Sequence, residues 1–293
     1  MKNEDNLISI IIPCYNASDY ISETLSSIIK QSNVIYEIII INDGSTDDSE
    51  TKIQTFNDDR IRYFYQNNKG VSVARNNGLR KAKGKYVIFF DADDIMTPDF
   101  ISSRISLLEN DSTLDFVSGE VQKFNEFGFL EGTYRGTSED LVQEILFYNK
   151  EVVTCPSNYC FRFIFLLKNQ ISFNSVLAST ADRFFLLECS KFGSGIFSSK
   201  LSKLNYRVVQ SSMSHLLTKN LVLDNEEYYR QIIKSQLIPV NARKETLFLG
   251  YFILFASFWK VNCKFKAFKY AFMCIFINPF KFLKKGKKRF IEP

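Results

Sequence analysis

The stretches Ile8 to Ile12 and Tyr36 to Ile41 constrain the fold more than any other feature of the sequence. Each is a nearly unbroken run of β-branched side chains, the pattern of a strand covered on both faces. Between them Ile21, Leu25, Ile28 and Ile29 recur at helical spacing, with Ser18 as a candidate N-cap. A third strand is expected over Ile61 to Tyr65, then a short helix over Val71 to Lys83 that stops at Gly84. Tyr86 to Phe90 reads as another strand, and Thr97-Pro98-Asp99 as the opening of a helix with Ile101, Ile105 and Leu108 on its apolar face. Strands and helices alternating at this spacing imply an α/β fold with a mostly parallel central sheet and helices on both faces.

Beyond residue 115 the pattern is less regular. A strand is expected near Asp115 to Phe124, and helices over Leu141 to Tyr148 and Asp182 to Phe192, the last ending at Gly193. The 293 residues carry 45% hydrophobic and 24% charged side chains, which excludes disorder as the main state. Charge is unevenly spread. Lys260 to Pro293 holds ten Lys/Arg and one acid, whereas the preceding 259 residues hold 27 basic and 31 acidic groups. Six cysteines at 14, 155, 160, 189, 263 and 274 form no CxxC pair, and His215 is the only histidine, which argues against structural zinc. Scattered single cysteines suit a reducing compartment. The opening MKNEDNLISIIIPCYN has an apolar run too short for a secretory signal, so the protein is expected in the cytoplasm. The longest apolar run, Leu247 to Trp259, spans about 20 Å as a helix, short of the roughly 30 Å hydrocarbon core of a bilayer.

In open α/β sheets ligands bind beyond the carboxyl ends of the strands. Three strands here end in polar turns: Pro13-Cys14-Tyr15-Asn16, Asn42-Asp43-Gly44-Ser45 and Asp91-Ala92-Asp93-Asp94. In a parallel sheet all three lie on one edge. An Asp-x-Asp pair after a strand suits a divalent cation bridging phosphates, because Mg²⁺ and Mn²⁺ prefer oxygen ligands. Lys69 and Arg75 add positive charge suited to a diphosphate.

The segments IIIPCYN, INDGSTDDS, NKGVSVARNNGL and GKYVIFFDADD, in this order and spacing, resemble glycosyltransferase family 2, the inverting sugar transferases of the GT-A fold. The resemblance covers roughly Ile8 to Phe100. It implies that Pro13, Cys14, Tyr15 and Asn16 approach the nucleoside and that Asp43 hydrogen-bonds the base. By the same resemblance Arg75 lies near the nucleotide, Asp91 and Ala92 belong to the donor-binding turn, and Asp93 with Asp91 holds the metal, Mn²⁺ or Mg²⁺. Asn42 stands where the family usually has an acid. The family's general base sits in an acidic pair at a helix start; Ser179-Thr180-Ala181-Asp182 matches it, with Ala181 in place of the usual Glu. Asp182 is therefore the candidate base, expected to stay ionised at a helix N-terminus. Arg183 is a candidate for the leaving diphosphate and His215 for the metal.

The expected organisation is residues 1–118 as the nucleotide-sugar half, residues 119–243 as the acceptor and catalytic-base half and, from the change in composition near Lys244, residues 244–293 as an amphipathic, basic, membrane-associating helical tail. The tail alternates aromatics with Lys264, Lys266, Lys269 and the run Lys281 to Arg289, a composition suited to an anionic membrane surface. Nucleic acid is disfavoured by the acidic body. The implied activity is transfer of a hexosyl or N-acetylhexosaminyl group from a nucleotide donor, UDP-linked by resemblance, to a growing surface glycan or a polyprenyl-linked oligosaccharide. The implied site of action is the inner face of the cell membrane. Two other readings stand beside it. A sugar nucleotidyltransferase needs a Gly-rich basic loop that Pro13 to Asn16 does not supply, and a non-catalytic scaffold would be expected to lose its acids. A processive, membrane-spanning relative is disfavoured because Trp259 is the only Trp and no QxxRW motif is present.

Overall fold

The protein is described here by a computed structural model of residues 7–134, 141–148, 152–209 and 217–290. It divides into two compact units, Met1–Val209 and Gln210–Pro293. The first unit begins with β1 (Ile8–Cys14), α1 (Ile21–Ile29), β2 (Tyr36–Asn42), α2 (Ser49–Gln54), β3 (Ile61–Tyr65), α3 (Val71–Leu79), β4 (Tyr86–Phe89), β5 (Ile95–Met96) and α4 (Phe100–Asn110). It continues through β6 (Phe116–Ser118), β7 (Val121–Asn125), β8 (Gly128–Tyr134), α5 (Leu141–Leu146), β9 (Tyr159–Arg162), α6 (Phe163–Lys168), α7 (Ala181–Phe192), β10 (Gly195–Phe197) and β11 (Leu204–Arg207).

Seven strands form the main sheet in the order β10-β6-β9-β4-β1-β2-β3, parallel except at β9. Every residue of β1, β2 and β4 is buried, as their unbroken apolar runs require. Ile10 and Ile12 join one core with Leu25 and Ile28 of α1 and Ile101 and Leu108 of α4. On the opposite face a Cβ added at Gly78 of α3 would lie 2.2 Å from Ile11 Cγ2, so only a glycine lets that helix approach. On this opposite face Phe89 meets Phe185 of α7, whose ring stacks on Phe173 at 4.1 Å. A second sheet, β5-β11-β7-β8, holds the remaining strands.

Three local expectations change. Ser18 does not cap α1: its N–H donates to Asp47 Oδ2 at 2.9 Å, and the helix begins at Ile21. Thr97 does not cap α4 either, since its hydroxyl donates to the Lys203 carbonyl and the N-cap is Asp99 in the left-handed region at φ 59°. The single strand expected over Asp115 to Phe124 is two, β6 in the main sheet and β7 in the second.

The second unit is helical: α8 (Lys219–Lys234), α9 (Arg243–Lys260), α10 (Lys264–Ile277) and α11 (Pro279–Phe290). Phe248 and Phe252 of α9 bury against Cys274 of α10. Gly250 lets α9 approach α8, because a Cβ there would lie 2.4 Å from the Tyr229 ring. Glu226, buried on α8, accepts from Lys266 Nζ and Tyr270 Oη, each at 2.6 Å. Among the described residues no helix is long and apolar enough to cross a membrane.

Candidate active site

β1, β2 and β4 run parallel, so the loops that follow them share one edge of the main sheet. The strand order also reverses between β1 and β4. Such a reversal opens a crevice beyond the strand ends.

The first two loops are laced together. The Cys14 carbonyl accepts from the Asp43 N–H at 2.8 Å, and Asn16 Oδ1 accepts from the Thr46 N–H at 2.8 Å. Asn16 itself is left-handed at φ 48°. Burial works against ionisation of Asp47, but hydrogen bonds from Ser49 and Ser18 outweigh it and bring its carboxyl down to about 2. Pro13 and Cys14 are buried, and burial pushes the Cys14 thiol up to about 11, so it stays neutral. Tyr15 presents a half-exposed ring. Asn42 is buried in a structural role: its amide donates to Tyr63 Oη at 2.7 Å and accepts from the Ser45 N–H at 2.8 Å. Asp43 anchors the loop before α3. Its oxygens accept from the Lys69 and Gly70 N–H groups, each at 2.8 Å, and from Gln66 Nε2 at 2.7 Å. Lys69 is thus tied to the site by its backbone, with its side chain exposed.

Arg75 organises the opposite side. From α3 its guanidinium donates to Asp91 Oδ1 at 2.6 Å and Asp182 Oδ1 at 2.5 Å, and its Cζ lies 4.8 Å from the centre of the Phe173 ring. One buried cation thereby joins the end of β4 to the first turn of α7. Burial alone would lower the pKa of Arg75; the two carboxylates more than offset this and hold the guanidinium charged.

Beyond it the acids crowd. Asp91, Asp94 and Cys155 bring one ligand atom each within 4.8 Å of one another. The Cys155 thiol points at Asp94 Oδ2, 3.7 Å away, and Asp91 Oδ2, 3.9 Å away. Asp94 is fully buried and accepts from the Arg207 N–H at 3.1 Å. Ser157 Oγ accepts from the Asp91 N–H at 3.0 Å. Burial, then the charge of Asp91, raises Asp93 to about 6. Burial and the charges of Asp93 and Asp91 raise Asp94 well above the carboxylate range. Burial also raises Asp182 to about 6, with Asp91 adding to the rise and Arg75 opposing it. Carboxylates held this close and this dry disfavour their own ionisation, and a divalent cation relieves that cost. The oxygen donors of Asp91 and Asp94, brought together in this cluster, fit Mn²⁺ or Mg²⁺. The Cys155 thiol, its pKa raised by burial and by both acids, fits better as a hydrogen-bond donor than as a ligand.

Other expected residues lie differently. The Ala92 carbonyl accepts from the Thr24 hydroxyl at 2.9 Å, bracing the turn. Arg183 donates to the Ile145 carbonyl at 3.0 Å, with its Cζ 4.0 Å from the Tyr148 ring centre. Asp93 is not in the three-residue cluster, where Asp94 and Cys155 stand with Asp91. His215 lies outside the described residues. Sequence reasoning missed Cys155, Ser157 and Phe173, which come from segments with no readable periodicity, and Arg207, the last residue of the four-residue strand β11, too short to leave a pattern.

Over residues 9–175 the sequence matches the family described as Glycosyl transferase family 2. An uncharacterized glycosyltransferase of Rickettsia felis is 37% identical over 154 residues, 52% of this chain and 25% of that protein. The Escherichia coli UDP-Glc:alpha-D-GlcNAc-diphosphoundecaprenol beta-1,3-glucosyltransferase WfgD is 34% identical over 123 residues, 42% of this chain and 48% of WfgD. The matches thus span between a quarter and a half of these curated relatives. The crystal structure of S. aureus TarS 1–349 in complex with UDP-GlcNAc has the same fold, with a TM-score of 0.65 at 16% identity over 86% of this chain and 81% of that one. More than half of this chain, including the loops that carry Asn16, Asp43 and Asp91 and the helix that carries Arg75, falls within the family match, and the protein belongs to glycosyl transferase family 2.

Proposed function

We propose that the protein moves a hexosyl or N-acetylhexosaminyl group from a UDP-sugar to a hydroxyl of a surface glycan or a polyprenyl-linked oligosaccharide, inverting the anomeric centre. The observation that carries this reading is the Arg75 bridge, which sets Asp182 beside the Asp91 turn that faces the donor crevice. With a pKa of about 6, Asp182 is mostly ionised at neutral pH yet basic enough to take a proton. In this reading the acceptor oxygen attacks the anomeric carbon, the bond to the diphosphate breaks, and the hydroxyl proton passes to the Asp182 carboxylate. Arg75 holds that carboxylate in one orientation throughout. Asp91, Asp93 and Asp94 would hold Mn²⁺ or Mg²⁺, which when bound supplies positive charge to the departing diphosphate. The half-exposed Tyr15 ring and the laced loops around Asn16 and Asp43 would seat the nucleoside. WfgD, whose name specifies a UDP-linked donor and a diphosphoundecaprenol acceptor, supports the choice of substrates. The basic tail supports a position at the inner face of the cell membrane.

A panel of UDP-, GDP- and dTDP-sugars tests the reading by thermal stabilisation with and without Mn²⁺. Stabilisation by a UDP-sugar that requires Mn²⁺, followed by release of UDP, is expected. Release of pyrophosphate, or no stabilisation by any donor, contradicts it.

A further inference from the structure

Helix α10 is built inside out. Its small and polar-tipped residues Ala267, Tyr270 and Cys274 are buried, whereas Phe265 is 89% exposed, Phe272 70% and Phe276 85%. With Phe268 and Ile275 these side chains fall within an arc of about 100° on the side opposite the buried residues. Soluble helices carry the reverse pattern, and an exposed aromatic stripe of this extent marks a surface that meets an apolar partner. Phe280 and Leu283 of α11 are exposed as well.

Lysines border the stripe on both sides, with Lys264 along one edge and Lys269 along the other, both exposed. Trp259, at the end of α9, meets Phe268 edge-on at 5.9 Å and carries Lys264 Nζ 3.6 Å above its ring. At 14 residues α10 is about 21 Å long, too short to span a bilayer but well suited to lie in its interface. We infer that the outer face of α10 docks in the plane of an anionic lipid surface, with its phenylalanines among the acyl chains and Lys264 and Lys269 reaching the headgroups. Charge selects this occupant over a second copy of the chain: two stripes packed together would set like-charged lysine borders against each other, whereas an anionic bilayer complements both. The inference rests on the proposed function only for its purpose, to bring a lipid-linked acceptor within reach.

Co-sedimentation of the full chain with vesicles of phosphatidylglycerol and phosphatidylcholine in equal parts, against phosphatidylcholine alone, tests it. Trp259, the only tryptophan, reports insertion directly. Binding to the anionic vesicles with a blue shift of Trp259 emission is expected, weakening as salt rises. The triple variant Phe268→Ser, Phe272→Ser, Phe276→Ser removes only exposed rings and should lower binding by at least about a hundredfold. Its transfer to a water-soluble acceptor should be unchanged. Lys264→Gln with Lys269→Gln should lower binding about thirtyfold on anionic vesicles. Failure of the wild type to bind either vesicle, or wild-type binding by the triple variant, overturns the inference. A wild-type dimer in sedimentation velocity that the triple variant converts to monomer assigns the face to a second copy and overturns it too. Vesicle binding by a wild type that transfers no sugar supports the docking face and counts against the proposed function instead.

Discussion

Arg75 carries two carboxylates on one guanidinium and is itself buried, so neither charge at the site is independent of it. Removing one member of a buried ion network leaves its partners uncompensated, at a cost of about 3–5 kcal/mol. Arg75→Gln should therefore lower stability by about that amount in urea unfolding, and Arg75→Lys should rescue it only in part, because an ammonium lacks the planar fork that spans both acids. Asp182 makes a separate claim. Burial raises its pKa in the folded protein to about 6, so the folded state binds its proton more tightly than the unfolded state does. Its contribution to stability is present at low pH and lost as pH rises from the ordinary carboxylate range through about 6. Asp182→Asn should lose less stability than wild type between pH 4 and 7, measured by thermal melts of the ligand-free proteins. In the enzyme, kcat/KM should rise with pH through about 6 and level off above it; a flat profile across pH 5 to 7 contradicts the role of base.

Among the elements, α3 shows how packing sets the site. It carries Arg75, and it comes close enough to β1 for that reach only because Gly78 lies over Ile11. A methyl group there would sit 2.2 Å from Ile11 Cγ2, so Gly78→Ala should cost about 1–3 kcal/mol in urea unfolding and weaken donor affinity with it. A neutral effect on both would show that the helix shifts freely. Strands β1, β2 and β4 were legible in the sequence because burial on both faces leaves an unbroken apolar signature. The passage from β6 to β7 was not, because Asp115 to Phe124 reads as one stretch while Gly119 and Glu120 carry the chain from one sheet to the other. Ser18 has the chemistry of a cap, yet Asp47 takes its N–H, and only tertiary structure brings Asp47 there. Asp91 and Asp182 were readable as separate acids. Their junction through Arg75, and the Cys155–Ser157 wall behind Asp91, rest on contacts between residues far apart in the chain, which leave no local pattern.

Across the whole molecule, charge is split between a slightly acidic body holding the carboxylate cluster and a basic tail with an exposed aromatic face, with donor chemistry proposed for the first and lipid docking for the second. The two can be tested apart, since donor chemistry needs no vesicle and vesicle binding needs no donor. The central claim is that Asp182 acts on the acceptor hydroxyl and not on the donor. Asp182→Asn keeps the size of the side chain and an oxygen for Arg75 but cannot take a proton. The decisive measurement pairs UDP-sugar affinity by calorimetry in the presence of Mn²⁺ with the rate of transfer to acceptor in the same variant. Affinity close to wild type with transfer reduced at least about a hundredfold is the expected result. Transfer close to wild type, or donor affinity lost along with it, would contradict the claim.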